Sequence, residues 1–263
     1  MTKGTSFFTA AAIVVGLGFP TAARAEEERK SPLADAPAVR RRVELRAQRF
    51  EIGVGAGATM GQDFYHAVMV NGRLAFHLTD WLSLAGWGGF NLTPTFKTSF
   101  HEKLAQVLPE QRLPDRTPTL AEAEAGMNHI GEAFAVQAEI VPFTGKFGLF
   151  SKLFMNYDFY AFGGPGFIDF KSDDPCDTPV VNRSCAVTGF KVGANFGVGA
   201  HLFASDYFAL NLEVRDILVR NNPAGRDEDG DGIAGDRDLS WDSNIIAGLN
   251  LTFFLPARPP VSP

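Results

Sequence analysis

The chain is 263 residues long and carries 24 Lys and Arg against 30 Asp and Glu, a formal net charge of −6. That balance argues against nucleic acid as a partner. The chain is rich in Phe (24) and Gly (27) and holds two cysteines. After its N-terminal stretch it offers no run of about twenty apolar residues to form a transmembrane helix.

Taken in order, Lys3, the mostly apolar run Phe7 to Phe19, Pro20 and Ala23-Arg24-Ala25 form a charged region, a short apolar region and a small-x-small cleavage site. Met1 to Ala25 therefore reads as a secretory signal peptide. Its removal takes away Lys3 and Arg24, leaving 22 basic residues against 30 acidic ones, a net charge of −8. Residues 26–48 are charged, contain Pro32, Pro37 and Arg40-Arg41-Arg42, and lack strand periodicity. They read as a periplasmic linker with a solvated charge run.

From Arg49 onward eight strand-like segments follow: Arg49–Met60, Phe64–Leu78, Trp81–Thr93, Gly131–Phe143, Lys152–Phe170, Val187–Ala204, Tyr207–Arg220 and Trp241–Phe254. A strand sends alternate side chains to opposite faces. The last segment sets Trp241, Ile245, Ala247, Leu249, Leu251 and Phe253 against Asp242, Asn244, Asn250 and Thr252. The sixth sets Phe190, Val192, Phe196 and Val198 against Lys191, Asn195 and His201. Glycines recur inside these segments, at positions 53, 55, 57, 193, 197 and 199, where bends and close packing in a small closed barrel have a use for them.

The connections decide the arrangement. Segments two and three are joined by Thr79-Asp80, four and five by roughly Thr144 to Ser151, and six and seven by Ser205-Asp206. Connections three to four (about Pro94–Ile130), five to six (Lys171–Ala186) and seven to eight (Asn221–Ser240) are long. Short turns at one end and long loops at the other mark an outer-membrane barrel. The expected fold is all-β: a closed antiparallel up-and-down transmembrane β-barrel of eight strands over residues 49–255, with a Pro-rich tail at 256–263. A soluble eight-stranded barrel would turn its apolar faces inward and its charges out.

The closing stretch Gly248-Leu-Asn-Leu251-Thr-Phe253 looks like the assembly signal of such proteins, although ten residues follow Phe253. Arg49 to Leu255 resembles the small eight-stranded outer-membrane β-barrel proteins. With its layout and Val141-Pro-Phe-Thr-Gly-Lys-Phe147, it is similar to the barrel family described from myxobacteria. That resemblance permits a place as a subunit of cell-envelope machinery.

Three places could carry chemistry. The polar strand faces supply Glu51, Arg73, Glu139, Asp158, Lys191, Glu213 and Arg215, with His77 and His201. An eight-stranded barrel is only wide enough for side chains to fill, and buried charges must pair, so a packed ionic plug is expected rather than a pore. The loop after strand seven holds Asp227, Asp229, Asp231, Gly232, the Ile233 carbonyl and Asp238, a spacing that suits Ca²⁺. Asp stands where a closing Glu is usual, and a merely acidic solvated loop is the alternative. Cys176 and Cys185 share one loop, and a disulfide is the default in an exported chain. His66, His101 and His129 fall near the long-loop rim with Ser99, Glu102 and Glu132, but no nucleophile motif accompanies them. The longest loop also holds a helix-like stretch at Thr119–Gly126. The expectation is a non-enzymatic barrel in the outer membrane of a Gram-negative-type envelope, working through its loops or periplasmic ends. Outer-membrane lipid and envelope proteins are its expected partners. An enzyme acting on lipid or peptide, or a narrow channel, is the alternative.

Overall fold

The structure, a computed structural model, describes residues 46–92, 96–110, 119–149, 153–172, 186–227, 230 and 236–256. Its elements in chain order are β1 (Phe50–Met60), β2 (Tyr65–His66), β3 (Val68–His77), β4 (Leu82–Asn91), β5 (Phe96–Lys97), α1 (Ser99–Val107), α2 (Leu120–Ala125), β6 (His129–Leu149), β7 (Leu153–Lys171), β8 (Gly189–Ser205), β9 (Phe208–Asn221) and β10 (Ser240–Leu255). The ring runs β1-β10-β9-β8-β7-β6-β4-β3 and closes on itself, while β2 and β5 pair separately. Every pairing in the ring is antiparallel, and closure comes from β1 against β10, from Phe50 opposite Leu255 to Met60 opposite Ile245. This is the expected eight-stranded up-and-down barrel, and it leaves no strand of the ring with an open edge.

Two elements differ from the sequence expectation. The turn expected over Thr144–Ser151 is mostly strand, since β6 continues to Leu149 and β7 begins at Leu153. Leu82 opposite Ile140 is the last pair between β4 and β6, and β8 first meets β7 at Asn156 opposite Phe203. The end of the β6–β7 hairpin therefore projects past the barrel rim. It departs at a bulge between Ile140 and Phe143, where Pro142 has no N–H to leave unpaired. The long loop holds the expected short helix as α2, started by a capping box between Thr119 and Glu122. It also holds α1, whose Thr98 N-cap accepts the His101 N–H.

Side-chain alternation gives the wall its chemistry. Ile52 and Val54 on β1, Val70 and Leu74 on β3, Val192 and Val198 on β8, and Leu249 and Leu251 on β10 all point outward and are exposed. A continuous apolar exterior of this kind has no place in water. Aromatic side chains mark both margins of the belt, as interfacial girdles do. Trp81 and Tyr207 stand at the short-turn end beside the Phe50–Phe76 and Phe208–Phe253 ring pairs. Phe90, Phe190 and Trp241 stand at the long-loop end. Among the described residues no helix is long and apolar enough to cross a membrane, and a barrel needs none.

Glycine matters most on β8. A Cβ at Gly199 would lie 2.3 Å from the Tyr160 ring, and one at Gly197 would lie 2.4 Å from the Phe162 ring. The two aromatics lie flat against the strand because nothing projects there. Gly199→Val will therefore lower stability by about 1–3 kcal/mol through overpacking. Gly86→Ala, where a Cβ meets nothing within 4 Å, will stay within about 0.5 kcal/mol. Urea unfolding in vesicles followed by Trp fluorescence measures both.

Candidate functional site

The interior is filled in three tiers. At the short-turn end Arg46 to Arg49 lead into β1. The Arg46 and Ala47 N–H groups donate to Asp80 Oδ1 at 2.8 and 3.0 Å, and Gln48 takes a left-handed backbone (φ 62°) in the bend. The Arg46 guanidinium reaches into the lumen, bonds Asp158 and lies 5.3 Å from the Phe203 ring centroid. Arg49 donates to the carbonyls of Asp206 (2.7 Å), Pro256 (3.1 Å) and Phe254 (3.3 Å). It thereby joins the start of β1, the β8–β9 turn and the chain's closing strand. The linker expected to end at residue 48 thus contributes one fully buried arginine, Arg46, to this end of the barrel, and the first residue of the expected first strand, Arg49, contributes a second.

Above Arg46 runs a chain of alternating acid and imidazole. His201 Nδ1 lies 2.9 Å from Asp158 and its Nε2 lies 3.1 Å from Glu51 Oε1. The second Glu51 oxygen is 3.1 Å from His77 Nε2. In the middle tier the Arg73 guanidinium touches three carboxylates from three strands: Glu139 at 2.6 Å, Glu51 at 3.1 Å and Glu213 at 3.2 Å. Ser83 Oγ and Gln137 Nε2 donate to Glu139, each at 2.8 Å. The Tyr160 hydroxyl accepts from Arg73 at 2.9 Å and donates to Glu213 at 2.8 Å. Arg215 bonds Glu213 and Asn195 and stacks 3.8 Å over Trp87.

Toward the long-loop end the lining becomes apolar. Met69, Trp87, Ile130, Ile168, Phe170, Ile217, Val219 and Ile246 form one buried cluster. The lumen is thus polar only in part, with its ion pairs gathered in the short-turn and middle tiers. Six of the seven charged residues expected in the lumen meet in this network. Lys191 sits higher, opposite Ile168 of the apolar tier. Asn195, set on a polar strand face by the sequence, joins the network with Gln137 and Asn211; Arg46, Arg49, Tyr160 and Ser83 are the members that sequence reasoning did not single out. The polar ones on strands share the parity of their charged neighbours, and that parity was the available signal.

Of the three rim histidines, His101 and His129 flank one ring, that of Tyr65. His101 is buried with Nε2 3.2 Å from Glu124, and the Tyr65 ring lies 5.2 Å from His101 and 5.9 Å from His129. Glu102 is exposed, and Glu132 meets Lys171 at 3.3 Å. Among the described residues no three His, Cys, Asp or Glu side chains are grouped to hold a metal ion. Of the calcium-like loop, Asp229, Asp231 and Ile233 lie outside the described residues, as do Cys176 and Cys185. Asp227 Oδ1 accepts the N–H of Gly230 at 2.8 Å, and Gly230 has φ +76°. Asp238 is buried in the short turn Asp236–Asp238.

The fold and its interior define a barrel turned inside out, with a charged core and an apolar surface. No family model and no curated protein matches the chain. Solved structures that match it include the N-terminal β-barrel domain of Pseudomonas aeruginosa OprF, at 12% identity over 80% of this chain and 98% of that one, with a TM-score of 0.42. Ail, the attachment invasion locus protein of Yersinia pestis, matches at 10% identity over 80% and 99%, with a TM-score of 0.37. Neisserial surface protein A matches at 7% identity over 78% and 94%, with a TM-score of 0.39.

Two measurements test the site. Arg73→Met leaves three buried carboxylates without their shared cation and will cost about 3–5 kcal/mol, read as urea unfolding in vesicles. For His101, burial first and the Lys97 ammonium second push the imidazole below its ordinary value, against the pull of Glu124. Its contribution is therefore complete above about pH 6.5 and is lost as pH falls through the lowered folded value. Protection of the α1 amides, referenced to the intrinsic exchange rate at each pH, will fall on acidification below that point, and His101→Asn will flatten the dependence.

Proposed function

We propose that this chain is an integral outer-membrane β-barrel with a structural or interaction role, possessing no catalytic activity. Its partners are outer-membrane lipid and other proteins of the envelope. The observation that carries this reading is the inversion of the barrel: its wall is apolar between two aromatic margins, while its interior is packed with paired charges. Ion pairs behind a sealed tier of Met69, Trp87, Ile168 and Ile217 give neither an open water path nor a place for a substrate. Work is then left to the loops at one rim and to the projecting hairpin and chain ends at the other. The narrower likeness to the myxobacterial barrel family rests on the overall layout and on Val141 to Phe147, a stretch of that projecting hairpin. A cleaved signal over residues 1–25, a Cys176–Cys185 disulfide and Ca²⁺ on the Asp227–Asp238 loop belong to the same proposal. At the start of that loop Asp227 Oδ1 accepts the N–H of left-handed Gly230.

The test is migration of the protein from isolated outer membranes on a gel with and without boiling, paired with planar-bilayer recording of the purified protein. A faster-migrating unboiled form and a silent bilayer are expected. A soluble periplasmic protein without heat-shifted migration overturns the membrane placement. Stepwise conductance would overturn the sealed interior in favour of a channel.

A further inference from the structure

The apolar exterior continues beyond the barrel strands. Leu92, just past the end of β4, is 65% exposed, Phe96 on β5 is 57% exposed, and on α1 Phe100 is 50% and Val107 80% exposed. The helix that carries the last two is firmly held. Thr98 accepts the His101 N–H, its hydroxyl donates to the Asp63 carbonyl at 2.6 Å and its N–H donates to the Phe64 carbonyl at 3.0 Å. Lys97 Nζ meets Glu124 at 2.8 Å. Leu104 packs on the buried cluster of Phe64, Tyr65 and Met127, and the Phe100 and Phe64 rings lie 5.7 Å apart. The exposed apolar edge is thus a fixed face of the loop.

The helix geometry shows that its apolar arc is wider than its seat. At about 100° per residue, with Phe100 at zero, Leu104 falls near 40°, Leu108 near 80° and His101 near 100°, while Val107 falls near −20°. The barrel mouth covers the Leu104–His101 side. Phe100 and Val107 continue the arc past that contact, Lys103 borders it near −60°, and Glu102 and Gln106 lie on the opposite side. An apolar strip with a lysine along its margin and acid on the far face is the pattern of a helix lying in a lipid interface, where the lysine stem runs along the chains and its ammonium meets phosphate.

We propose that α1 is an in-plane anchor: its Phe100–Val107 edge is seated in the outer-leaflet boundary with Leu92 and Phe96, and Lys103 engages the phosphate of an anionic lipid headgroup. This rests on the membrane placement proposed above. The helix continues the lipid-facing wall at the rim and holds the long loop's outer edge down against the bilayer.

The full chain, with Cys176→Ser and Cys185→Ser, is labelled with bimane at one added cysteine and reconstituted into phosphatidylcholine vesicles with or without phosphatidylglycerol. Quenching is read with phospholipids bearing a nitroxide near the headgroup or near the chain end, and with aqueous iodide. Three sites are compared: Val107→Cys, Val198→Cys on the barrel wall (Val198 is 60% exposed) and Arg237→Cys in an outer loop. The Val107 label is expected to be quenched strongly by the shallow nitroxide, weakly by the deep one and weakly by iodide. Lys103→Glu is expected to lose much of that shallow quenching in phosphatidylglycerol vesicles and little in phosphatidylcholine alone. If the Val107 label behaves like the Arg237 label while the Val198 label is lipid-quenched, the barrel is in the membrane and the anchor is refuted, leaving the edge to a protein partner. If the Val198 label also escapes lipid quenching, the membrane placement itself fails and the anchor with it. Unboiled gel migration establishes that each labelled variant is folded.

Discussion

Arg73 is the point at which the barrel is held across its diameter. Backbone hydrogen bonds tie each strand to its two neighbours and so fix the circumference, but they place nothing across the interior. The Arg73 guanidinium, on β3, reaches Glu51 on β1, Glu139 on β6 and Glu213 on β9, so one planar cation draws distant parts of the ring together. Attraction between buried charges is strong because water does not screen it, and each charge left without its partner is correspondingly costly. The neighbouring groups follow from that constraint. Ser83, Gln137 and Tyr160 occupy lone pairs that Arg73 leaves over, and Gly199 supplies the flat surface against which Tyr160 lies.

The same constraint explains how the interior ends. An ionic core open to water at both ends would exchange its pairs for hydration. At the long-loop end the apolar tier from Met69 to Ile246 separates the charges from the loops. At the short-turn end Arg46 and Arg49 close the mouth, one on Asp158 and the other on three main-chain carbonyls. A soluble protein places charge outside and hydrocarbon inside. Here both preferences are reversed, with buried side chains covering the charged tier at both ends.

Strand parity carried most of this fold in the sequence. Once alternation placed Glu213 and Arg215 on one face of β9, the closed ring and its polar interior followed. Parity alone hid the apolar tier, because Ile217 and Val219 occupy the same face and differ from their charged neighbours only in side chain. Arg46 could not be found from periodicity, since it precedes the first strand and sits among other arginines. Its role depends on Asp80, which holds the bend from a turn 34 residues away. The sequence placed the β6–β7 turn at roughly Thr144 to Ser151, although Pro142 and Gly145 lie in strand that pairs on to Leu149 opposite Leu153. In the structure the proline occupies a bulge and the true connection lies further on. α1 was missed for a different reason: its seat comes from Phe64 and Tyr65 before it and Met127 after it in the chain.

The loop end has more order than its sequence suggests, and this bears on what a surface of this kind can do. Phe64, Tyr65 and Met127 form a second small core beneath the long loop. Asn128 then ties that loop to the others: its amide donates to the Val187 carbonyl at 2.7 Å and to Asn221 at 2.8 Å, and its N–H donates to the Pro223 carbonyl at 3.3 Å. Three connections that are separate in the chain are joined at one residue. Ordering loops on binding costs free energy that subtracts from affinity, and a surface already cross-linked avoids much of that loss. The barrel supplies rigidity from below through Arg73, and Asn128 extends it upward into the loops. Asn128 thus fixes the described bases of three loops before any contact is made.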